Sequence, residues 1–235
     1  MKAILLRGVI FDMDGVLVDS HAVHRTAWRQ FFRTLGREVS EPEMDFILDG
    51  RKRRDILRHF FGSCPDSELE EFGRRKDSIF QEIRLEACPV PGVLPLVRQL
   101  HRNGTALAVA TSASRKRAVS TLTELGLIDC FPVIVAGEDV VLSKPDAGVY
   151  RLACARLAIE PVRLLAIEDA VSGIRSAVSA GLRCIGVALH ETRETLTLAG
   201  AMHVVRDFQS VSAGDLECIF ADQNSGKLGA AAAGA

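Results

Sequence analysis

An alternation narrows the fold of this chain more than any other feature. Short apolar segments at residues 4–11, Ala106–Ala110, Val133–Val135, Leu164–Ile167 and Cys184–Val187 read as buried strands. Helical patterns separate them. One is carried by Leu94, Val97 and Leu100; one by Val119, Leu122 and Leu125, closed by Gly126; one by Tyr150 to Leu157; and one by Ile174 to Val178, closed by Gly181. Strands that are apolar along their whole length belong to a sheet covered on both faces, and a strand–helix rhythm makes that sheet parallel. The predicted class is α/β.

The rhythm is broken once. Between residues 20 and 88 there are helical patterns and no strand: Trp28, Phe31, Phe32 and Leu35 fall on one helical stripe ended by Gly36, and Ile56, Leu57, Phe60 and Phe61 form a second cluster. Leu69, Phe72, Ile79, Phe80 and Ile83 mark a third. The division expected is therefore a discontinuous α/β core at 1–19 and 89–220, a helical insertion at 20–88, and a Gly/Ala-rich tail at 221–235. A chain of 235 residues can bury such a core without disulfides or a structural metal. Its six cysteines form no C-x-x-C pair and are expected to be reduced thiols. The N-terminus does not read as a signal peptide, because Arg7 interrupts its short apolar run, and no run is long enough to span a membrane. A cytoplasmic location is expected. With 29 Lys and Arg against 30 Asp and Glu, no global field recruits nucleic acid or an acidic membrane.

Polar residues at the ends of successive strands carry the chemistry. Asp12-Met13-Asp14-Gly15 follows the first strand, where ligands of open α/β sheets bind; Gly15 lets the chain bend, and two carboxylates two residues apart suit attack on phosphorus and proton handling. Read alone, the same residues suit a solvated turn equally well. Thr111-Ser112 follows the second strand and opens a helix, a setting for phosphate or for an ordinary cap. Lys144-Pro145 supplies a cation before another helix. Glu168-Asp169 ends the fourth strand, and adjacent carboxylates there repel unless a cation lies between them, for which Mg²⁺ is the natural partner of hard oxygen ligands.

Taken together and in this order, Asp12-Met13-Asp14-Gly15-Val16, Thr111-Ser112, Lys144-Pro145 and Glu168-Asp169 resemble the four motifs of the haloacid dehalogenase superfamily. The resemblance implies a Rossmann-like parallel-sheet core with an inserted all-helical cap domain. It is strongest toward the beta-phosphoglucomutase and sugar-phosphate phosphatase group. It implies Asp12 as nucleophile, Asp14 as general acid and base, and Thr111 and Lys144 as phosphate holders. It implies Mg²⁺ bound by Asp12, the backbone carbonyl of Asp14 and Asp169, with Glu168 close by. Thr111 is the expected motif hydroxyl, with Ser112 one residue away as a substrate contact. In the insertion, Ser20, His24, Arg53 and Lys76 match substrate-facing positions of the mutase, whereas Arg51, Lys52 and Arg54 read as a solvated basic face and Trp28 as packing. Asp14 argues against dehalogenation, because dehalogenase members lack an acid there.

The expected activity is a Mg²⁺-dependent phosphatase acting on a small phosphorylated metabolite, a sugar phosphate, through an aspartyl-phosphate. Phosphomutase action by the same chemistry is the alternative, and hydrolysis is preferred because it demands less of the cap. Ala170 also stands where the mutase has Ser. A non-catalytic α/β binding protein ranks below both, since neither aspartate nor the lysine is missing. A nucleotide-binding module ranks lower still, with no G-x-x-x-x-G-K-[ST] and no G-x-G-x-x-G after the first strand. No nucleic-acid or membrane partner is expected; the oligomeric state is open, and a monomer is compatible with the sequence.

Overall fold

The structure is a computed structural model and describes residues 5–83 and 88–222. Six parallel strands form one sheet in the order β3-β2-β1-β4-β5-β6. They are β1 (Gly8–Phe11), β2 (Ala106–Ala110), β3 (Val133–Val135), β4 (Leu164–Glu168), β5 (Arg183–Val187) and β6 (His203–Val205). Between β1 and β2 the chain makes α1 (His21–Arg33), α2 (Glu41–Leu48), α3 (Arg53–Phe61), α4 (Asp66–Ile83) and α5 (Val93–Arg102). Then come α6 (Arg115–Glu124), α7 (Gly148–Leu157), α8 (Val171–Ser179), α9 (Arg193–Ala199) and α10 (Ala213–Ala221).

Successive side chains of a strand face opposite ways, and the burial follows that period. Val9, Phe11, Leu107, Val109, Leu165 and Ile167 pack on one face with α5, α6 and α10. Ile10, Ala108, Ala110, Leu164, Ala166 and Cys184 pack on the other with α7, α8 and α9. The helices α1 to α4 bury a separate aromatic cluster around Trp28, Phe31 and Phe32. Because the chain runs outward from β1 in both directions, through β2 to β3 and through β4 to β6, the loops leaving β1 and β4 part and open a crevice at the carboxyl ends of the strands.

The five expected strands are present, with a shorter first one. Leu5 to Arg7 lie outside β1, and Leu5 is solvent-exposed; residue 4 lies outside the described residues. Two helical stripes turn out rotated. α6 buries Ala118, Thr121 and Leu122 and leaves Val119 exposed, and α8 leaves Val178 exposed, because the 3.6-residue period puts 118, 121 and 122 on one face. Apolar periodicity alone does not mark β6, α9, α10 or α2. The last had a readable start: Ser40 and Glu43 form a capping box, with a proline in the first turn. The cysteines are all free thiols, Cys130, Cys154 and Cys184 buried, Cys64 half-buried, and Cys88 and Cys218 exposed. Among the described residues no helix is long and apolar enough to cross a membrane. The Gly/Ala-rich tail from Gly226 lies outside the described residues.

Candidate active site

The sheet presents Asp12 directly after β1, where its N–H donates to the Ile167 carbonyl of β4 at 2.9 Å. Gly15 then turns the chain at a φ of +74°, and a Cβ there would stand 1.9 Å from Oδ2 of Asp169. Only glycine lets the first and fourth motifs approach this closely. Lys144 comes in from the loop before α7. Its Nζ donates to Asp12 Oδ1 at 2.6 Å, to the Ala110 carbonyl at 3.3 Å, and to Glu168 Oε1. Tyr150 on α7 donates its hydroxyl to the same Glu168 oxygen at 2.7 Å. Glu168 Oε2 accepts from the N–H groups of Asp169 and Ala170, and Gly173, whose Cβ would fall 2.1 Å from that carboxyl, makes room for it.

Asp12, Glu168 and Asp169 each offer an oxygen within 4.8 Å of the others. One lysine stands against three carboxylates, which leaves the cluster two negative charges in excess. Burial, followed by the charges of Glu168 and Asp14, pushes Asp12 up to about 7 against the pull of Lys144. Burial, then Glu168 and Asp12, holds Asp169 well above the carboxylate range. Lys144 is held above its ordinary value by Asp12 and Glu168, in spite of burial. The residues fit a hard divalent cation: the donors are all oxygen, the surplus charge is two, and the Asp12 Oδ2 and Asp169 carboxylate oxygens accept no hydrogen bond among the described residues. Glu168, whose two oxygens already have four donors, is better placed beside such a cation than on it.

Asp14 is held differently. Its side chain is not part of the acidic triplet. Arg117 on α6 grips both oxygens, Nη1 reaching Oδ1 at 2.8 Å and Nη2 reaching Oδ2. Ser20 sits at the N-cap position of α1 but does not cap it; its hydroxyl donates to Asp14 Oδ1 instead. His24 Nε2 lies 3.6 Å from the same oxygen. Burial would raise Asp14, but the charge and hydrogen bonds of Arg117, with His24 behind them, hold it well below the usual range. His24 stacks on Phe80 and touches Lys76 Nζ through Nδ1 at 3.1 Å. Burial and then the Lys76 charge lower His24 to about 3, so the ring is neutral at physiological pH. Lys76, itself only 4% exposed, is lowered to about 7, chiefly by burial, with Arg117 adding to it.

Asp12, Asp14, Asp169, His24, Lys76 and Arg117 line a cleft of about 1050 Å³ between the strand ends and the helices α1, α3 and α4. Thr111 is buried in its floor; its hydroxyl oxygen accepts from the Ala113 N–H at 3.1 Å, and its proton stays available to a ligand. Ser112 lines the cleft too, but its hydroxyl donates to the Gly50 carbonyl at 2.6 Å, which ties the sheet side to the helical side. Similar ties join Ser172 to Asp49, and Lys52 Nζ to the carbonyls of Val140 and Val141. Arg53 lines the cleft and pairs with Asp77. Arg51, Lys52 and Arg54, expected on a solvated face, line it as well, Arg51 lying over the Phe46 ring and Arg54 pairing with Asp66. Trp28 packs within the helical cluster and offers its ring to Lys76 at 5.1 Å. Arg117 and Tyr150 went unrecognised in the sequence. Tyr150 looks like one more apolar residue of α7. Arg117 left a faint signal, since Arg115, Lys116 and Arg117 crowd the first turn of α6, where the helix dipole disfavours cations.

The chain is similar to several known proteins. The chain is 32% identical over 206 residues to validoxylamine A 7'-phosphate phosphatase of Streptomyces hygroscopicus subsp. limoneus, covering 86% of this chain and 94% of that protein. It is 30% identical over 194 residues to beta-phosphoglucomutase of Bacillus subtilis, covering 77% and 83%. A crystal structure of a CbbY variant from Rhodobacter sphaeroides with xylulose-(1,5)bisphosphate superimposes with a TM-score of 0.80 at 28% identity, covering 91% of this chain and all of that one. Residues 9–187 match the haloacid dehalogenase-like hydrolase family, a span running from β1 to β5 and holding all four motifs, so the chain belongs to that family.

Proposed function

We propose that the chain is a Mg²⁺-dependent phosphatase of small sugar phosphates that works through an aspartyl-phosphate on Asp12. The observation that carries this reading is Asp12 itself. It ends a central strand, is anchored through Oδ1 by Lys144, and keeps Oδ2 free to face the cleft. In the first step Asp12 Oδ2 attacks phosphorus and the bond from phosphorus to the sugar oxygen breaks; Asp14, ionised at rest beside Arg117, takes up a proton from the entering phosphate monoanion or from water and hands it to that oxygen. In the second, Asp14 takes a proton from water, the water oxygen bonds phosphorus, and the bond to Asp12 breaks to release phosphate. Lys144 and the Thr111 hydroxyl hold the charge of the transferring group. Mg²⁺ at Asp12 and Asp169, with Glu168 beside them, would offset the repulsion between a phosphate and the carboxylates. Residues 20–88 act as a cap over the core at 1–19 and 89–220, and Ser20, His24, Arg53, Lys76 and Ser112 act from its margin on the sugar. The relatives support this substrate class, since one that is 31% identical over 207 residues is a phosphorylated carbohydrates phosphatase.

A phosphomutase is the second reading, favoured by Arg53 and Lys76 on the cap wall and by the similarity to a mutase. One assay separates the two. Protein with Mg²⁺ is given β-glucose 1-phosphate, with and without a trace of glucose 1,6-bisphosphate, alongside a panel of hexose and pentose phosphates. Release of inorganic phosphate, lost in Asp12→Asn and in EDTA, supports the phosphatase. Glucose 6-phosphate in the primed sample, with little phosphate, supports the mutase. No turnover of any kind by a folded protein points to a binding protein.

A further inference from the structure

We propose that Arg117 is the positioning residue for Asp14, fixing the plane of its carboxylate so that Oδ2 is the oxygen that carries the proton. The role rests on the reading of Asp14 as the proton-transfer group.

Arg117 sits where a helix does not favour it. It is the third residue of α6, its N–H bonded to the capping Ser114 hydroxyl, at the end where the backbone dipole repels cations. Arg115 in the same turn points outward to Asp139. Arg117 points inward, with 17% of its side chain exposed, and its guanidinium lies between two walls of the cleft. On the sheet side it makes the paired contact with Asp14; on the helical side its carbon is 5.6 Å from the centre of the Phe80 ring on α4. A forked donor matched to a carboxylate sets the angle of that carboxylate as well as its charge.

The other neighbours of Asp14 cannot do this. Ser20 and His24 both approach Oδ1, and Oδ2 has Arg117 alone among the described residues. Without the fork the carboxylate could turn about its last bond with nothing to hold Oδ2. The same asymmetry names the working oxygen. Oδ1 already accepts from Nη1 and Ser20, whereas Oδ2 accepts from Nη2 alone and keeps a lone pair for the proton, so the group stays aimed through Oδ1 and the fork while Oδ2 donates. Arg117 also touches both halves of the cleft, which makes the aim of Asp14 depend on Phe80 being in place.

The test uses leaving groups. An alkoxide leaving from a sugar phosphate needs a proton, whereas nitrophenolate leaves p-nitrophenyl phosphate without one. Steady-state kcat and KM are measured for Arg117→Met, Arg117→Lys, Asp14→Asn and the Asp14→Asn/Arg117→Met double variant on p-nitrophenyl phosphate and on the fastest sugar phosphate of the panel. Circular dichroism checks each fold. Hydrolysis of the aspartyl-phosphate is common to both substrates, so kcat/KM, which reports the step in which the leaving group departs, is the readout; loss of aimed acid catalysis predicts that Arg117→Met loses about 100-fold more kcat/KM on the sugar phosphate than on the aryl ester. Asp14→Asn should show the same bias, and the double variant should be no slower than Asp14→Asn alone. Arg117→Lys keeps the charge and loses the fork, so it should show the bias in weaker form; it carries the test if the Met variant does not fold. Equal losses of kcat/KM on both substrates, or a double variant slowed by the product of the single losses, would overturn the assignment. The failure of the phosphatase reading looks different: Asp12→Asn would keep its turnover, or the wild type would hydrolyse neither ester, and this inference would fall with it.

Discussion

The two walls of the cleft hold their charges by different means. On the sheet wall Asp12, Lys144 and Glu168 are at most 6% exposed, and each is fixed at a strand end or by a contact to one. On the helical wall Arg53 keeps 40% of its side chain in water and pairs with an equally wet Asp77. Lys76 is buried there with a neutral histidine and two aromatic rings as its near neighbours. One wall carries surplus negative charge suited to a metal, and the other carries cations suited to an anionic substrate. Strand ends cannot shift without disturbing the sheet, so they suit bond making; helix surfaces can change residue by residue, so they suit the choice of substrate.

Breaking the sheet wall should have the largest effect. Lys144→Met removes the one cation among the described residues that pairs with Asp12 and Glu168. Losing one partner of a buried pair costs about 3–5 kcal/mol, so calorimetry should show Tm lower by roughly 10 °C. Turnover should fall more than about 1000-fold with loss of charge stabilisation. A Tm within 2 °C of wild type would mean that the pair adds nothing. Breaking the helical wall should be milder and selective. Arg53→Ala should raise KM for a sugar phosphate about 10-fold, as expected when one charge-assisted contact is lost, and leave Tm nearly unchanged. An equal rise for p-nitrophenyl phosphate would make Arg53 a structural residue.

The surplus charge makes a sharper prediction on pH. Asp12 and Asp169 have folded pKa values raised above the unfolded ones. Such groups add stability below about pH 4, and that stability is lost as the pH rises through the folded values, near 7 for Asp12. In EDTA these two groups should therefore lower Tm between pH 5 and 7.5, and Mg²⁺ should restore it. At 100 times its Kd the ion adds about 2.7 kcal/mol, or roughly 5–10 °C, and the gain should be larger at pH 7.5 than at pH 5. A gain independent of pH would place the ion elsewhere. The smallest effect belongs to the rim: Arg54→Ala breaks an exposed pair with Asp66 and should move Tm by less than about 1 °C.

The sheet wall was legible in the sequence for the same reason that it is rigid. Asp12, Thr111, Glu168 and Asp169 stand at the ends of short apolar strands, so position along the chain gives position in space, and Lys144, in the loop before α7, reaches Asp12 and Glu168. The helical wall was legible only in outline. A helix surface turns through 100° per residue, so a one-residue slip moves a side chain from a buried face to solvent, as Val119 shows on α6. Arg117 lay hidden in a run of three basic residues, and Tyr150 in an apolar helix. The ties through Asp49, Gly50, Ser112 and Ser172 pair residues more than sixty positions apart, mostly through backbone carbonyls, which leave no mark in composition.

The central claim is that phosphorus passes through a covalent bond to Asp12. The direct measurement is a rapid-quench single turnover with a ³²P-labelled sugar phosphate, followed by peptide mapping of the protein. The account predicts a transient label that hydroxylamine removes, located on the peptide carrying Asp12 and absent from Asp12→Asn. Phosphate release with no protein-bound label at any time, or a label that persists in Asp12→Asn, would contradict it.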